Sequence, residues 1–389
     1  IMAQPEHESR FPIVGDGRPL ANSQVFHAEE LQLATRNRGM PLEGLRYSIT
    51  PHGMHYLLIH FDIPEVDMET WRLSIGGLVS SPTSLSMAQI KELPSRTQLV
   101  TMECAGNGRA LLSPRAISQP WLLEAIGTAE WTGTPLRYLL EKVGLSENVT
   151  EVLFTGLDQG YQGDELQYYQ RSLAIKEVLA SDILLAYEMN GEPLQPQHGF
   201  PLRLVVPGWY GFTNVKWLGR IEAIEKPFQG YQQVKTYQYT QSAEDPGQPV
   251  THIRVRALMI PPGIPDFVTR TRVVKSGVVI LRGRAWAGGL DISRVEVSVD
   301  GGVNWQEAPL GDRLSPFSWR EWSFAWNALP GKYSLRVRGT DSQVEQRSVE
   351  PAPKATSAGQ TLNAQVICFL FFLSGFAALV LEVLWIRHW

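Results

Sequence analysis

"QPQHGFPLRLVVPGWYGFTNVKWLG", residues 195–219, sets three basic side chains into an otherwise apolar and aromatic run. The segment from Phe200 to Val206 reads as a buried strand, and Pro207-Gly208 cuts it off. His198 stands before the strand, Arg203 on it and Lys216 beyond the break. Three donors drawn from one short region can clamp an anionic group such as a phosphate. The plainer alternative is a satisfied core histidine beside two solvated charges. The density of charge among so many apolar residues weighs toward the clamp, but residue types alone leave both open.

A second stretch, "VTMECAGNGRALL", spans residues 100–112. A short β-type run empties here into a glycine loop that starts at Cys104. A cysteine acts as a thiolate, either as nucleophile or as soft-metal ligand. Loop N–H groups and Arg109 would favour that charged form. Gly106 and Gly108 let the backbone approach a bulky ligand. A buried structural cysteine fits the composition equally well.

Together, "ECAGN" and "LLAYEMNGEPLQPQHGFPLRLVVPGWYGFTNVKWLGRIE" resemble the sulfite oxidase family of molybdenum enzymes, over about residues 45–225. The region that follows is similar to that family's dimerisation domain. The resemblance implies oxygen-atom transfer at a molybdopterin, with the pterin dithiolene supplying further sulfurs to the metal. Cys104 matches the one protein ligand to molybdenum. His60, His198, Arg203 and Lys216 match residues that hold the pterin and its phosphate, and Arg109 matches a cation on the substrate side. Tyr237 is best placed for the family's tyrosine, with Tyr231 and Tyr239 close by. One position departs from the pattern. Sulfite-oxidising members carry an arginine where this chain has Leu58. The substrate is therefore either sulfite or another small anion or sulfur compound, such as an S-oxide or another oxyanion. No haem motif is visible, so electrons are expected to pass to an external acceptor: a cytochrome, a quinone-side partner or oxygen. A homodimer is implied as well.

Composition is consistent with this reading. The chain has 389 residues, 43% hydrophobic and 19% charged, enough for two or three packed domains. A net charge of -4, from 39 acidic against 35 basic residues, argues against nucleic acid as a partner. The only cysteines are Cys104 and Cys368, and no Cys/His array suits zinc, iron–sulfur or c-type haem.

The expected fold is α+β. A molybdopterin-binding catalytic domain spans 1–244, and an all-β immunoglobulin-like sandwich spans 245–350. In the first domain, "LRYSITPHGMHYLLIHFDI" reads as extended structure around a turn. "SMAQIKEL" and "TPLRYLLEKVGL" read as helices capped by Ser86 and Thr134. In the second, "SVDGGVNW" reads as a hairpin. A Pro/Ala/Ser linker at 351–365 leads to "VICFLFFLSGFAALVLEVLWI", residues 366–386, long enough for one transmembrane helix at roughly 20 residues. The first residues contain no export signal, so the catalytic domain is expected to be membrane-associated and to face the cytoplasm. The chain is expected to be cut short.

Two further patterns have bland readings. His52, His55 and His60 could suggest a metal triad, but the run reads as a strand. Trp319, Trp322 and Trp326 read as sandwich core with an interface edge. A cofactor-free, membrane-tethered binding protein and a cysteine nucleophile with His198 as base are the remaining alternatives.

Overall fold

The computed structural model describes residues 13–14, 18–21, 26–111, 115–162, 164–239, 247–343 and 379–387. In the first domain the strands of the two main sheets are, in chain order, β1 (Leu73–Gly77), β2 (Thr83–Leu85), β3 (Arg96–Glu103), β4 (Ile126–Pro135), β5 (Glu151–Gln162), β6 (Glu165–Ala174), β7 (Leu184–Met189), β8 (Glu192–Pro193), β9 (Arg203–Val205) and β10 (Leu218–Ile224). They form two five-stranded sheets. One runs β2-β1-β10-β5-β6, and the other runs β8-β7-β4-β3 with β9 also paired to β7. Short helices accompany them: α1 (Ala28–Arg36) before the sheets, α2 (Met87–Lys91), α3 (Leu136–Val143) and α4 (Ile175–Ala180) between strands, and α5 (Tyr231–Val234) after them. The α/β content is thus mixed, and strands dominate.

Local chemistry explains most of these boundaries. Ser86 caps α2 reciprocally, its hydroxyl accepting from the Gln89 amide while the Gln89 side chain accepts from the Ser86 amide. Gly144, at φ +69°, ends α3. Asn190 and Gly191 take φ values of +51° and +77° and turn β7 into β8, as an Asn-Gly hairpin requires. Two expectations need correction. Thr134 does not cap α3, because β4 continues through Pro135 in register with Leu184; Thr134 is buried and donates to the Ile90 carbonyl instead. Residues 45–63 are not strands. They form 3₁₀ turns at Leu42–Arg46 and His52–Met54 and make a single isolated bridge, Arg38 to Leu57.

The main core lies between the two sheets, where Ile75, Phe154 and Ile221 meet Leu185 and Leu204. Leu136, Leu139, Leu140 and Val143 seal it from α3. A second cluster, including Met102, Trp131 and Val205, packs on the other sheet and reaches Cys104.

The second domain contains β11 (Arg256–Met259), β12 (Ile264–Pro265), β13 (Arg272–Lys275), β14 (Gly277–Trp286), β15 (Ile292–Ser298), β16 (Gln306–Glu307), β17 (Arg320–Ala328), β18 (Gly331–Asp341) and β19 (Leu379–Arg387). A three-stranded sheet, β11-β14-β17, faces a six-stranded one, β12-β13-β19-β18-β15-β16. Trp322 and Trp326 of β17 pack against Val295, Val297, Leu335 and Val337 across this sandwich. Trp319 instead joins a cluster shared by both domains, and its indole N–H donates to the Ser48 carbonyl at 2.9 Å.

The expected transmembrane helix over 366–386 is corrected where it is described. Leu379–Arg387 is a strand, paired parallel to β13 and antiparallel to β18. Its Val380, Val383 and Ile386 are β-branched residues that favour the pleated conformation. Residues 366–378 and the 351–365 linker lie outside the described residues. Among the described residues, no helix is long and apolar enough to cross a membrane.

Candidate functional site

The end of β3 carries Met102 and Cys104 into a cleft that lies beside the buried face of the second sheet. Its walls also include Leu58, His60, His198, Arg203, Asp158, Tyr169 and Lys216. Cys104 is 7% exposed, and its sulfur accepts from the Gly106 amide at 3.4 Å. The loop is braced by Asn107, whose amide N–H donates to the Cys104 carbonyl and whose side-chain oxygen accepts from the Ala125 amide. Burial pushes the Cys104 thiol up, and Arg109 and the Gly106 amide offset only part of this. The expectation that the loop alone would favour a thiolate is therefore corrected. A metal ion would supply the missing charge by displacing the proton.

The stretch 195–219 folds across this cleft. Pro196–His198 is a 3₁₀ turn that ends at Gly199 in the left-handed region, φ +106°. A Cβ on Gly199 would lie 3.1 Å from the Cβ atoms of both Arg203 and Lys216, so glycine lets the turn pass between the two cations. Arg203 donates to the carbonyls of His198 at 2.9 Å and Asn214 at 3.3 Å, and its Nε has no partner. Lys216 donates to the carbonyls of Leu58 at 2.8 Å and Gln197 at 3.0 Å. Among the described residues neither cation makes an ion pair, and Asp158 is the carboxylate on the same wall. Burial holds Lys216 down to about 7 and Arg203 to about 10.

Neutral groups complete the wall. Burial keeps His60 at about 3, His198 at about 2 and His55 at about 4, so all three are uncharged imidazoles near neutral pH. His60 Nε2 lies 3.0 Å from the Tyr237 hydroxyl. Tyr237 takes φ +56°, stacks on Phe212 at 4.0 Å, and is pushed up to about 12 by burial. Tyr237 is thus bonded to this wall through His60.

The structure thus gathers Cys104, His60, His198, Arg203 and Lys216 around one cleft, with Tyr237 behind His60. Arg109 is not among the lining residues. It donates to Ser118 Oγ at 2.9 Å, and its guanidinium passes over Gly106, where a Cβ would sit 2.5 Å from Nη2. His52 and His55 do not join a triad: His52 bonds the Met189 carbonyl and His55 the Tyr56 carbonyl. No cluster of three or more metal-binding side chains occurs among the described residues.

Residues 60–232 match the family described as "Oxidoreductase molybdopterin binding domain", and residues 248–360 match "Mo-co oxidoreductase dimerisation domain". The chain is 34% identical to mitochondrial sulfite oxidase of Rattus norvegicus over 70% of its own length and 52% of that protein's. It is 32% identical to mitochondrial sulfite oxidase of Homo sapiens, over 84% and 62%. The chain thus joins a molybdopterin-binding domain to a Mo-co dimerisation domain, the make-up of a molybdopterin oxidoreductase. An inducible NADH nitrate reductase of Glycine max is also similar, at 31% identity over 75% of this chain and 36% of that protein. The sulfane dehydrogenase SoxCD of Paracoccus pantotrophus shares the fold, with a TM-score of 0.69 and 24% identity over 88% of this chain and 85% of that one. The chain spans little more than half the length of the curated sulfite oxidases it matches.

The family's cofactor, molybdopterin, fits this cleft. Among the described residues one thiol, Cys104, is present to bind the metal. Buried Arg203 and half-buried Lys216 make no ion pair among the described residues, and with the orphaned Nε of Arg203 they suit an anionic phosphate. Sequence reasoning in this sulfite oxidase relative missed Asp158. It lies on the cleft wall, 5% exposed, with Oδ1 unpartnered, and burial pushes it up to about 7. Its signal was a carboxylate ending the apolar run "EVLFTGLD". Arg171 was also missed. It is buried, with its guanidinium 4.5 Å from the Phe212 ring and 5.8 Å from the Tyr237 ring.

Proposed function

We propose that the chain is the molybdenum-binding part of an oxidoreductase of the sulfite oxidase type, acting on a small anionic or sulfur-containing substrate. The observation that carries this reading is the buried thiol of Cys104 in one cleft with Arg203 and Lys216, which make no ion pair among the described residues. When bound, molybdopterin would supply the two-electron oxygen-atom chemistry. The chain's own residues do the rest. Cys104 would hold the metal, and Lys216 and Arg203 would hold the anionic end of the pterin. His198 and His60, kept neutral by burial, can donate or accept hydrogen bonds without adding charge. Arg109 supplies positive potential near Cys104 and draws an anion toward it. The Tyr237 phenol stays protonated at neutral pH and can share its proton with His60 Nε2 across 3.0 Å. Electrons would leave to an external acceptor: a cytochrome, a quinone-side partner or oxygen. The second domain supports a homodimer.

A second reading keeps the cofactor and changes the substrate. It is favoured by Leu58, an apolar side chain on the cleft wall where the sulfite-oxidising pattern has an arginine. Turnover of sulfite and of a panel of S-oxides and other oxyanions, by wild type and Leu58→Arg, tests both. Efficient sulfite oxidation by wild type supports the first reading. Turnover confined to another substrate, with sulfite activity appearing in Leu58→Arg, supports the second. No turnover of any of them by molybdenum-loaded protein contradicts both.

A further inference from the structure

Glu103 directly precedes Cys104 and is fully buried, yet it is a carboxylate. Both of its oxygens are bonded, and the partners come from two domains. Oε1 accepts from the Asn107 side-chain amide at 3.1 Å and pairs with Arg256 Nη1 at 3.1 Å. Oε2 accepts from the Trp286 indole N–H at 2.8 Å. Arg256 also donates to the Asn107 carbonyl from both terminal nitrogens at 3.4 Å. Arg256 lies on β11 and Trp286 ends β14. The two are direct cross-strand partners, so one edge of the second domain presents both donors together.

The other bonds of this network converge on Cys104. Asn107 donates through its side chain to the Leu123 carbonyl at 3.2 Å and accepts from the Ala125 amide at 3.1 Å. Cys104 donates its own amide to the Ala125 carbonyl at 2.9 Å. The residue just before the thiol, Glu103, thus holds Asn107, three residues after the thiol, and is itself tied to the second domain.

A buried ion pair is weak evidence of stability, because desolvation costs about as much as the attraction returns. Apolar packing would join two domains as well. What an ion pair with bonded lone pairs provides is a fixed geometry, and here that geometry is centred on the residue that would bind the metal.

We propose that Arg256 and Trp286 of the second domain are positioning residues for Cys104, acting through Glu103 and Asn107. The second domain then completes the metal-ligand loop as well as serving assembly. This inference rests on the proposed molybdenum role of Cys104, and its test includes a readout that does not need the metal.

The variants are Arg256→Met, Arg256→Lys and Trp286→Phe, made in the full chain. In cofactor-free protein, hydrogen exchange of the 104–109 amides should quicken in Arg256→Met, while exchange in β5 and β6 stays unchanged. In molybdenum-loaded protein, turnover should fall roughly 10- to 100-fold with little change in KM, as for other groups that orient a metal ligand. The visible absorption of the thiolate–molybdenum bond should shift. Arg256→Lys should recover part of each effect, because a cation returns without the fork. Unchanged exchange in the loop, or a normal spectrum and turnover in a folded Arg256→Met, overturns the proposal. If wild type takes up no molybdenum, the functional reading fails, and the exchange experiment still judges the positioning role.

Discussion

Gly106 and Arg109 share one small volume. A Cβ at Gly106 would lie 2.5 Å from Arg109 Nη2, so Gly106→Ala must displace the guanidinium. The obstacle is the far end of a flexible side chain, so stability should change by less than about 1 kcal/mol. KM for an anionic substrate should rise several-fold while kcat holds, which steady-state kinetics will read. Cys104→Ser should keep its fold by circular dichroism and lose roughly 100-fold or more in turnover. Lys216 gives a pH prediction for the cofactor-free protein. Its folded value, about 7, lies below the ordinary 10.5. Between these values the unfolded chain binds more protons than the folded one, so this group makes stability rise with pH across about 7 to 10.5. Below that window the folded state bears the full cost of a buried charge. Denaturant titrations from pH 6 to 10 should show the rise in wild type and a flatter curve in Lys216→Met. Equal slopes in the two proteins would contradict the burial argument. Asp158 runs the other way: raised to about 7 from 3.8, it makes stability fall as pH rises through that interval.

At the scale of elements, the 3₁₀ turn Pro196–His198 ends at Gly199, which lies against both cations of the cleft. Gly199→Ala meets both a left-handed φ of +106° and two Cβ atoms at 3.1 Å. It should lower stability by about 1–3 kcal/mol and reduce bound cofactor, as thermal unfolding and metal content will measure. The sequence was most legible where a local rule acts alone. Ser86 marked the start of its helix because a cap is set by adjacent residues. It was least legible at residues 45–63 and 379–387. There the apolar pattern fits several states, and distant partners decide: Arg38 for Leu57, and β13 and β18 for Leu379–Arg387. The site residues found by motif were those within two compact stretches. Asp158 escaped because strand pairing, not sequence proximity, brings β5 and β6 to the cleft, and Arg171 of β6 reaches only the Phe212 and Tyr237 rings behind it.

For the whole molecule, the two domains share a core. Met40, Leu45, Leu123 and Ile126 of the first pack with Ile253, Leu258, Trp286 and Trp319 of the second. Arg284 donates to the Leu45 carbonyl at 2.9 Å across the same boundary. A chain ending at residue 244 should therefore expose apolar surface and aggregate, as light scattering will show. A soluble, cooperatively folding fragment would mean that the domains are independent. The two sheets position the cleft, the shared core fixes the loop, and the loop presents the thiol. The central claim is that this thiol serves a molybdenum cofactor. Metal and pterin analysis of full-length protein from a cofactor-producing host tests it most directly. The account expects one molybdenum and one molybdopterin for each chain. Well-folded protein that carries neither would contradict it.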